Sequence, residues 1–110
     1  MSDKSSTYKT AADESRRGAD GQIPLARGER VSMRMWAERP GDKEESALHS
    51  RDYEVVGYVI EGAATLEVEG DEISLRAGDS WCVPAGARHR YRIEEAFRAV
   101  EAVSPAQRGK

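Results

Sequence analysis

The chain has 110 residues, enough for one domain that closes a small barrel around a modest core and too few for two. A net charge of -3 at pH 7 gives no broad basic footprint for DNA or RNA, and no run approaches the ~20 apolar residues of a membrane span, so neither nucleic acid nor membrane is an expected partner. One cysteine, Cys82, has no internal disulfide partner, and Met1-Ser2-Asp3-Lys4 leads into polar residues rather than an apolar stretch; both fit a cytoplasmic location.

Residues 1–22 are rich in Ser, Lys, Asp and Arg and poor in bulky apolar side chains. They bury too little surface to repay ordering and read as an N-terminal arm, disordered or ordered by a partner, with at most a short helix over 11–17. The domain proper is placed at 23–110. Over 31–38 the pattern turns to period two, with Val31, Met33, Met35 and Ala37 on one face and Ser32, Arg34, Trp36 and Glu38 on the other. Met33, Met35, Trp36 and Trp81 are expected to fill the core. Pro40-Gly41 ends that strand, and a charged loop over 42–46 follows. Residues 54–60 form a second strand by composition, closed by a turn at Glu61-Gly62.

A hairpin comes next. With Gly70-Asp71 as a two-residue type II′ loop, Glu69 pairs with Glu72, Val68 with Ile73, Glu67 with Ser74 and Leu66 with Leu75, which puts Leu66, Val68, Ile73 and Leu75 on one face. Ala77-Gly78-Asp79 and Pro84-Ala85-Gly86 bracket a short strand at Trp81-Cys82-Val83, and 89–93 and 97–103 read as the last strands. Short strands at regular spacing with no long helical period predict an all-β antiparallel sandwich or barrel over 31–103. Arg88, Arg90 and Arg92 alternate with His89 and Tyr91 and are expected as an outer basic stripe that Glu67, Glu69 and Glu101 could pair with.

In GDSWCVPAGARH, residues Gly78, Pro84, Gly86 and His89 reproduce the second motif of the cupin superfamily, G-x5-P-x-G-x2-H-x3-N, at its spacing. The first motif, G-x5-H-x-H-x3/4-E-x6-G, is matched in part by HSRDYEVVGYVIEG, where His49 stands thirteen residues before Gly62. The chain therefore resembles a small single-domain cupin, and the resemblance implies a jelly-roll β-barrel. In that family the two histidines and glutamate of the first motif and the histidine of the second hold a divalent metal. Here the second histidine position is Arg51, the glutamate position is Val55, and the final Asn position is Ile93. Arginine has no lone pair to give and valine has no donor atom. Glu54 is one residue from the glutamate position, and a one-residue step along a strand turns a side chain to the other face.

The resemblance places His49 and His89, the two histidines of the chain, in one pocket. Arg51 shares a face with His49, and Tyr53 and Tyr91 stand two residues from Arg51 and His89. The expected site is thus His49, Arg51, Tyr53, His89 and Tyr91, holding a small anionic molecule. As metal ligands, His49 and His89 with Glu54 as a third make a degenerate set that holds a Zn, Ni, Mn or Fe ion weakly if at all. Two alternatives stay open: a cupin enzyme of the dioxygenase, isomerase, decarboxylase or lyase class acting on a small organic acid or sugar, and an interaction protein with a vestigial pocket. A homodimer is expected, with the strand at 31–38 contributing by edge pairing.

Overall fold

The computed structural model describes residues 8–14, 22–41, 48 and 50–106. Among them a single 3-10 turn, Ala12–Glu14, precedes six strands: β1 Ile23–Arg27, β2 Ser32–Glu38, β3 Glu54–Val68, β4 Asp71–Arg76, β5 Ser80–Val83 and β6 His89–Ser104. All pairings are antiparallel, in the order β1-β2-β6-β3-β4, with β5 on the other side of β3. The all-β expectation holds. Most of the expected N-terminal arm and the charged loop over 42–46 lie outside the described residues.

The long strands β3 and β6 each serve two sheets. In one sheet the start of β3 and the end of β6 join β1, β2 and β5; in the other, the end of β3 and the start of β6 join β4. Glu61-Gly62, expected as a turn, is instead an irregularity within β3 where the pairing with β6 shifts. Gly62 has a φ of 91°, and a Cβ there would sit 1.9 Å from the Ala96 carbonyl oxygen. An extra residue in one strand reverses the alternation beyond it. Val55 and Val59 point inward before the bulge, Ala64 and Leu66 after it.

The hairpin register differs from the expected one by two residues. Leu66 pairs with Ile73, Glu67 with Glu72 and Val68 with Asp71, so the loop is Glu69-Gly70. Both loop residues have positive φ, 48° and 88°, as a type I′ turn requires. Glu69 is an unusual residue there, and distant contacts hold it: its N–H donates to the Arg88 carbonyl at 2.9 Å, and its carboxylate accepts the Arg88 N–H at 2.7 Å. A slip of two preserves the alternation, so Leu66 and Leu75 are still buried.

β2 corrects a second expectation. Its inward residues are Ser32, Arg34, Trp36 and Glu38, while Met33 is 39% exposed on the outside. The methionines do not fill the barrel. β2 is also no edge strand, because β1 and β6 pair with it on either side. β1, a strand that the sequence pattern left unread, is short, contains Pro24 and covers that edge.

Candidate functional site

The core is aliphatic in most layers. Ser32, Val103, Val55 and Val83 form one inward row across β2, β6, β3 and β5, all of them buried. The next row is different: Arg34 stands opposite Glu101, Glu101 opposite Gly57, and Gly57 opposite Trp81. Gly57 leaves room for the Trp81 ring, since a Cβ there would lie 2.4 Å from the indole. An ion pair and an indole thus occupy a layer where a stable barrel needs only apolar side chains.

Arg34 Nε donates to Glu101 Oε1 at 2.5 Å, and the Glu101 side chain is 1% exposed. Arg34 Nη2 donates to the Tyr53 hydroxyl at 3.3 Å, and its Cζ lies 5.4 Å from the centre of that ring. Burial opposes the Arg34 charge, but Glu101 and Tyr53 outweigh it and hold the guanidinium protonated. Burial pushes the Glu101 carboxyl above the usual carboxylate range, against the pull of Arg34, the Trp36 indole and His89. Among the described residues, Glu101 Oε2 and Trp36 Nε1 are the two buried side-chain polar atoms without a hydrogen bond of good geometry. The indole is nevertheless close enough to favour the ionised carboxylate.

Tyr91 enters from β6 in the other sheet and closes over this row. Its ring centre is 4.5 Å from that of Trp36, 6.3 Å from that of Trp81 and 5.8 Å from that of His89, each edge to face. The Trp81 Nε1–H donates to its hydroxyl at 3.1 Å. Burial, helped by nearby Glu101, raises the Tyr91 pKa far enough to keep the phenol protonated.

His89 is buried at the start of β6. The Ala87 carbonyl can only accept, so the 3.0 Å contact makes Nδ1 a protonated, donating nitrogen. The loop that delivers His89 is pinned on both sides. The Gly86 N–H donates to the Arg51 carbonyl at 2.7 Å, and Arg88 is held by Glu69.

Of the expected site residues, the structure brings Tyr53, His89 and Tyr91 into one interior cluster. Arg51 is exposed, and Glu54 is exposed on the face opposite buried Val55. His49 lies outside the described residues. Arg34 and Glu101 were missed as site residues. Arg34 stood on the polar side of a strand whose methionine side read as core, and Glu101 was expected among surface carboxylates. Of the expected outer pairs, Glu67 meets Arg90 at 2.9 Å, whereas Arg92 pairs at 3.0 Å with Glu94, a carboxylate the sequence pattern did not single out.

A metal fits this donor set poorly. Among the described residues no three His, Cys, Asp or Glu side chains converge as ligands, and Val55 fills the position from which a glutamate would bind. Even with His49, two imidazoles fall short of the three or more protein ligands of a stable site.

The family model described as "Cupin domain" matches residues 34–103. The chain is a cupin. Its fold is that of an RmlC-like cupin from Shewanella frigidimarina, with a TM-score of 0.79 and 22% identity, covering 91% of this chain and 92% of that one. KdgF from Halomonas sp. superposes with a TM-score of 0.68 at 22% identity, covering 78% of each chain. A curated protein of Streptomyces cyaneus named polyketide synthase CurC is 35% identical over 69 residues, 61% of this chain. The match spans 44% of that relative, less than half its length. These neighbours establish the jelly-roll barrel. Among the described residues no helix is long and apolar enough to cross a membrane.

Proposed function

We propose that this cupin binds a small organic molecule, bearing an anionic group, at the interior cluster of Tyr53, His89, Tyr91, Arg34 and Glu101. The observation that carries this reading is the buried Arg34–Glu101 pair. Replacing such a pair by well-packed apolar residues is commonly neutral or stabilising, so stability alone gives no reason to keep it. Arg34 is already paired with Glu101, so in this reading the charge offered to an anion comes from exposed Arg51. Titrating the protein with benzoate while following the His89 ring by NMR tests this. The expected result is a saturable shift of the His89 signals that His89→Ala abolishes and Arg51→Ala weakens; unmoved His89 and Tyr91 signals with every small organic acid tried would overturn it. Any divalent metal binds weakly in the same reading, and a stoichiometric, tightly held Zn, Ni, Mn or Fe ion in protein purified without chelator would contradict it.

The similarity to polyketide synthase CurC favours a second reading, an enzyme that acts on the molecule it binds. His89 Nε2 and the Glu101 carboxylate would be its proton-transferring groups, neither requiring a metal.

The chain also pairs with a second copy in this proposal. On the outside of the five-stranded sheet, Met33, Ala102, Val56 and Cys82 form one row, and Met35, Val100, Tyr58 and Ser80 the next. A shallow groove of about 600 Å³ runs along them, and Tyr58 is 51% exposed. Neither row carries a charge, and a contiguous apolar patch of this kind is characteristic of an association surface. A flat sheet face can meet its own copy about a two-fold axis. Sedimentation is expected to give a particle of twice 12.1 kDa that Val56→Glu reduces to one chain; a 12.1 kDa species alone at micromolar concentration would refute the dimer.

A further inference from the structure

A strained point of the backbone lies beside His89. Among the described residues Glu69 is the one non-glycine with a positive φ, 48°, at the tip of the β3–β4 hairpin. A residue with a Cβ is disfavoured in that conformation, and asparagine or glycine is the usual choice at the first loop position of a type I′ turn. The hairpin by itself gives no reason for a glutamate. A reason lies across the sheet. Val68 pairs with His89, and one step beyond that pair the Glu69 N–H donates to the Arg88 carbonyl at 2.9 Å, which continues the ladder of β3 and β6. In a hydrogen-bonded antiparallel pair the two residues exchange both bonds, so a return bond from the Arg88 N–H to residue 69 is due. The Glu69 side chain supplies it, its carboxylate accepting the Arg88 N–H at 2.7 Å. Arg88 stands between His89 and Ala87, whose carbonyl meets the His89 Nδ1–H at 3.0 Å. The bond to Glu69 therefore fixes the stretch of chain that joins the imidazole to the group orienting it.

We infer that Glu69 is a positioning residue for His89: its carboxylate closes the last rung between β3 and β6, and the strained backbone at the hairpin tip is what places it there. This rests on His89 belonging to the binding cluster proposed above and adds how its ring is held in one orientation.

Glu69→Asn tests it, because Asn-Gly is a preferred type I′ loop and the asparagine side chain is one methylene too short to reach Arg88. The turn and the histidine should then respond in opposite directions. Urea unfolding should find the variant at least as stable as wild type, the relaxed turn offsetting the lost bond. The Arg88 amide should exchange with solvent roughly tenfold faster, the weight of one hydrogen bond to a charged group, while the amides of buried Val59 and Ala99 keep their rates. The His89 Nδ1–H signal, identified by its loss in His89→Ala, should broaden, and benzoate should bind roughly threefold more weakly or worse as the ring loses its preset orientation. Glu69→Gln keeps the length and an accepting oxygen, and should restore the exchange rate, the ring signal and the affinity together. Wild-type Arg88 exchange with an unbroadened His89 signal in Glu69→Asn would overturn the inference. So would a lower urea midpoint with Val59 and Ala99 exchanging faster in step with Arg88, the mark of a residue that only stabilises the fold. If benzoate moves the His89 signals in no chain, wild type included, interior binding fails, and the exchange and Nδ1–H comparisons still decide whether Glu69 orients the ring.

Discussion

Two Arg–Glu pairs stand directly across from each other on adjacent strands of this barrel. Arg34 faces Glu101 between β2 and β6, and Arg90 faces Glu67 between β6 and β3. The residue types and the strand relation are the same, yet the first pair is buried in the core and the second lies half exposed on the outer wall, with 35% and 24% of the two side chains accessible. The outer face on the Arg90 side carries Thr65, Arg92 and Glu94 as well, whereas the outer face on the Arg34 side carries Met33, Val56 and Tyr58. Polar and apolar faces have changed places between the two sheets. Alternation alone therefore says which residues share a face, and only the assembled barrel says which face is inside.

The bulge at Gly62 makes this exchange possible, and it is the first place to break it. With Gly62→Ala the new methyl meets the Ala96 carbonyl oxygen at 1.9 Å and the residue is strained at a φ of 91°. Neither β3 nor β6 can retreat without disturbing a sheet. We expect a loss of about 4 kcal/mol or more in urea unfolding, or failure to fold. A loss below about 1 kcal/mol would show that β3 crosses between the sheets without needing a glycine.

That bulge also shows what was legible in the sequence. Gly78 and Gly86 adopt φ values of 94° and 86°, and their turns were readable because glycine at a turn has a local cause. Gly62 carried the same local signal but a different meaning, since a positive φ serves a bulge as well as a turn. The hairpin register was missed because Glu69 is held in its conformation by Arg88, a contact from nineteen residues away. The site was legible where a motif spacing announced it, at His89 with Tyr91 beside it. Arg34 and Glu101 stayed hidden because their partners come from distant strands, and because the apolar outer face of β2 imitates a core face.

The second comparison is energetic. Arg34→Met leaves Glu101 buried without its counter-charge, and breaking a buried pair in this way costs about 3–5 kcal/mol. Glu101→Gln in the same chain should recover a large part of it. The pH dependence has a definite sign. Glu101 has a pKa raised above 4.5 in the folded protein, so the native state holds a proton that the unfolded state releases. Its contribution is present below pH 4.5 and is lost as pH rises through the folded pKa. Removing Arg34 should widen that window upward, and Glu101→Gln should abolish it. Glu94, on the outer wall, has its pKa lowered by Thr65 and Arg92, so its contribution runs the other way and is lost as pH falls through that pKa. Urea midpoints of the three chains between pH 4 and 8 would show the opposed slopes; a slope that survives Glu101→Gln unchanged would assign it to another group.

The outer pair sets the lower bound of the comparison. Arg90 Nε donates to Glu67 Oε1 at 2.9 Å, as good a geometry as many buried pairs have. Water reaches both groups, however, so each keeps much of its hydration when the partner is removed, and the attraction is weakened by solvent and by salt. A half-exposed pair of this kind contributes about 0.2–1 kcal/mol. Arg90→Ala should therefore cost less than about 1 kcal/mol, part of it from lost packing of the arginine stem. A double-mutant cycle with Glu67→Ala separates the two parts, since only the charge coupling survives in the cycle. That coupling should fall toward zero at 1 M salt, where charges are screened within about 3 Å. The coupling of Arg34 with Glu101, measured by the same cycle, should keep most of its value at that salt because the Glu101 side chain is only 1% exposed. Equal salt sensitivity of the two cycles would mean that solvent enters the barrel at Glu101, and the contrast between the inner and outer pairs would collapse.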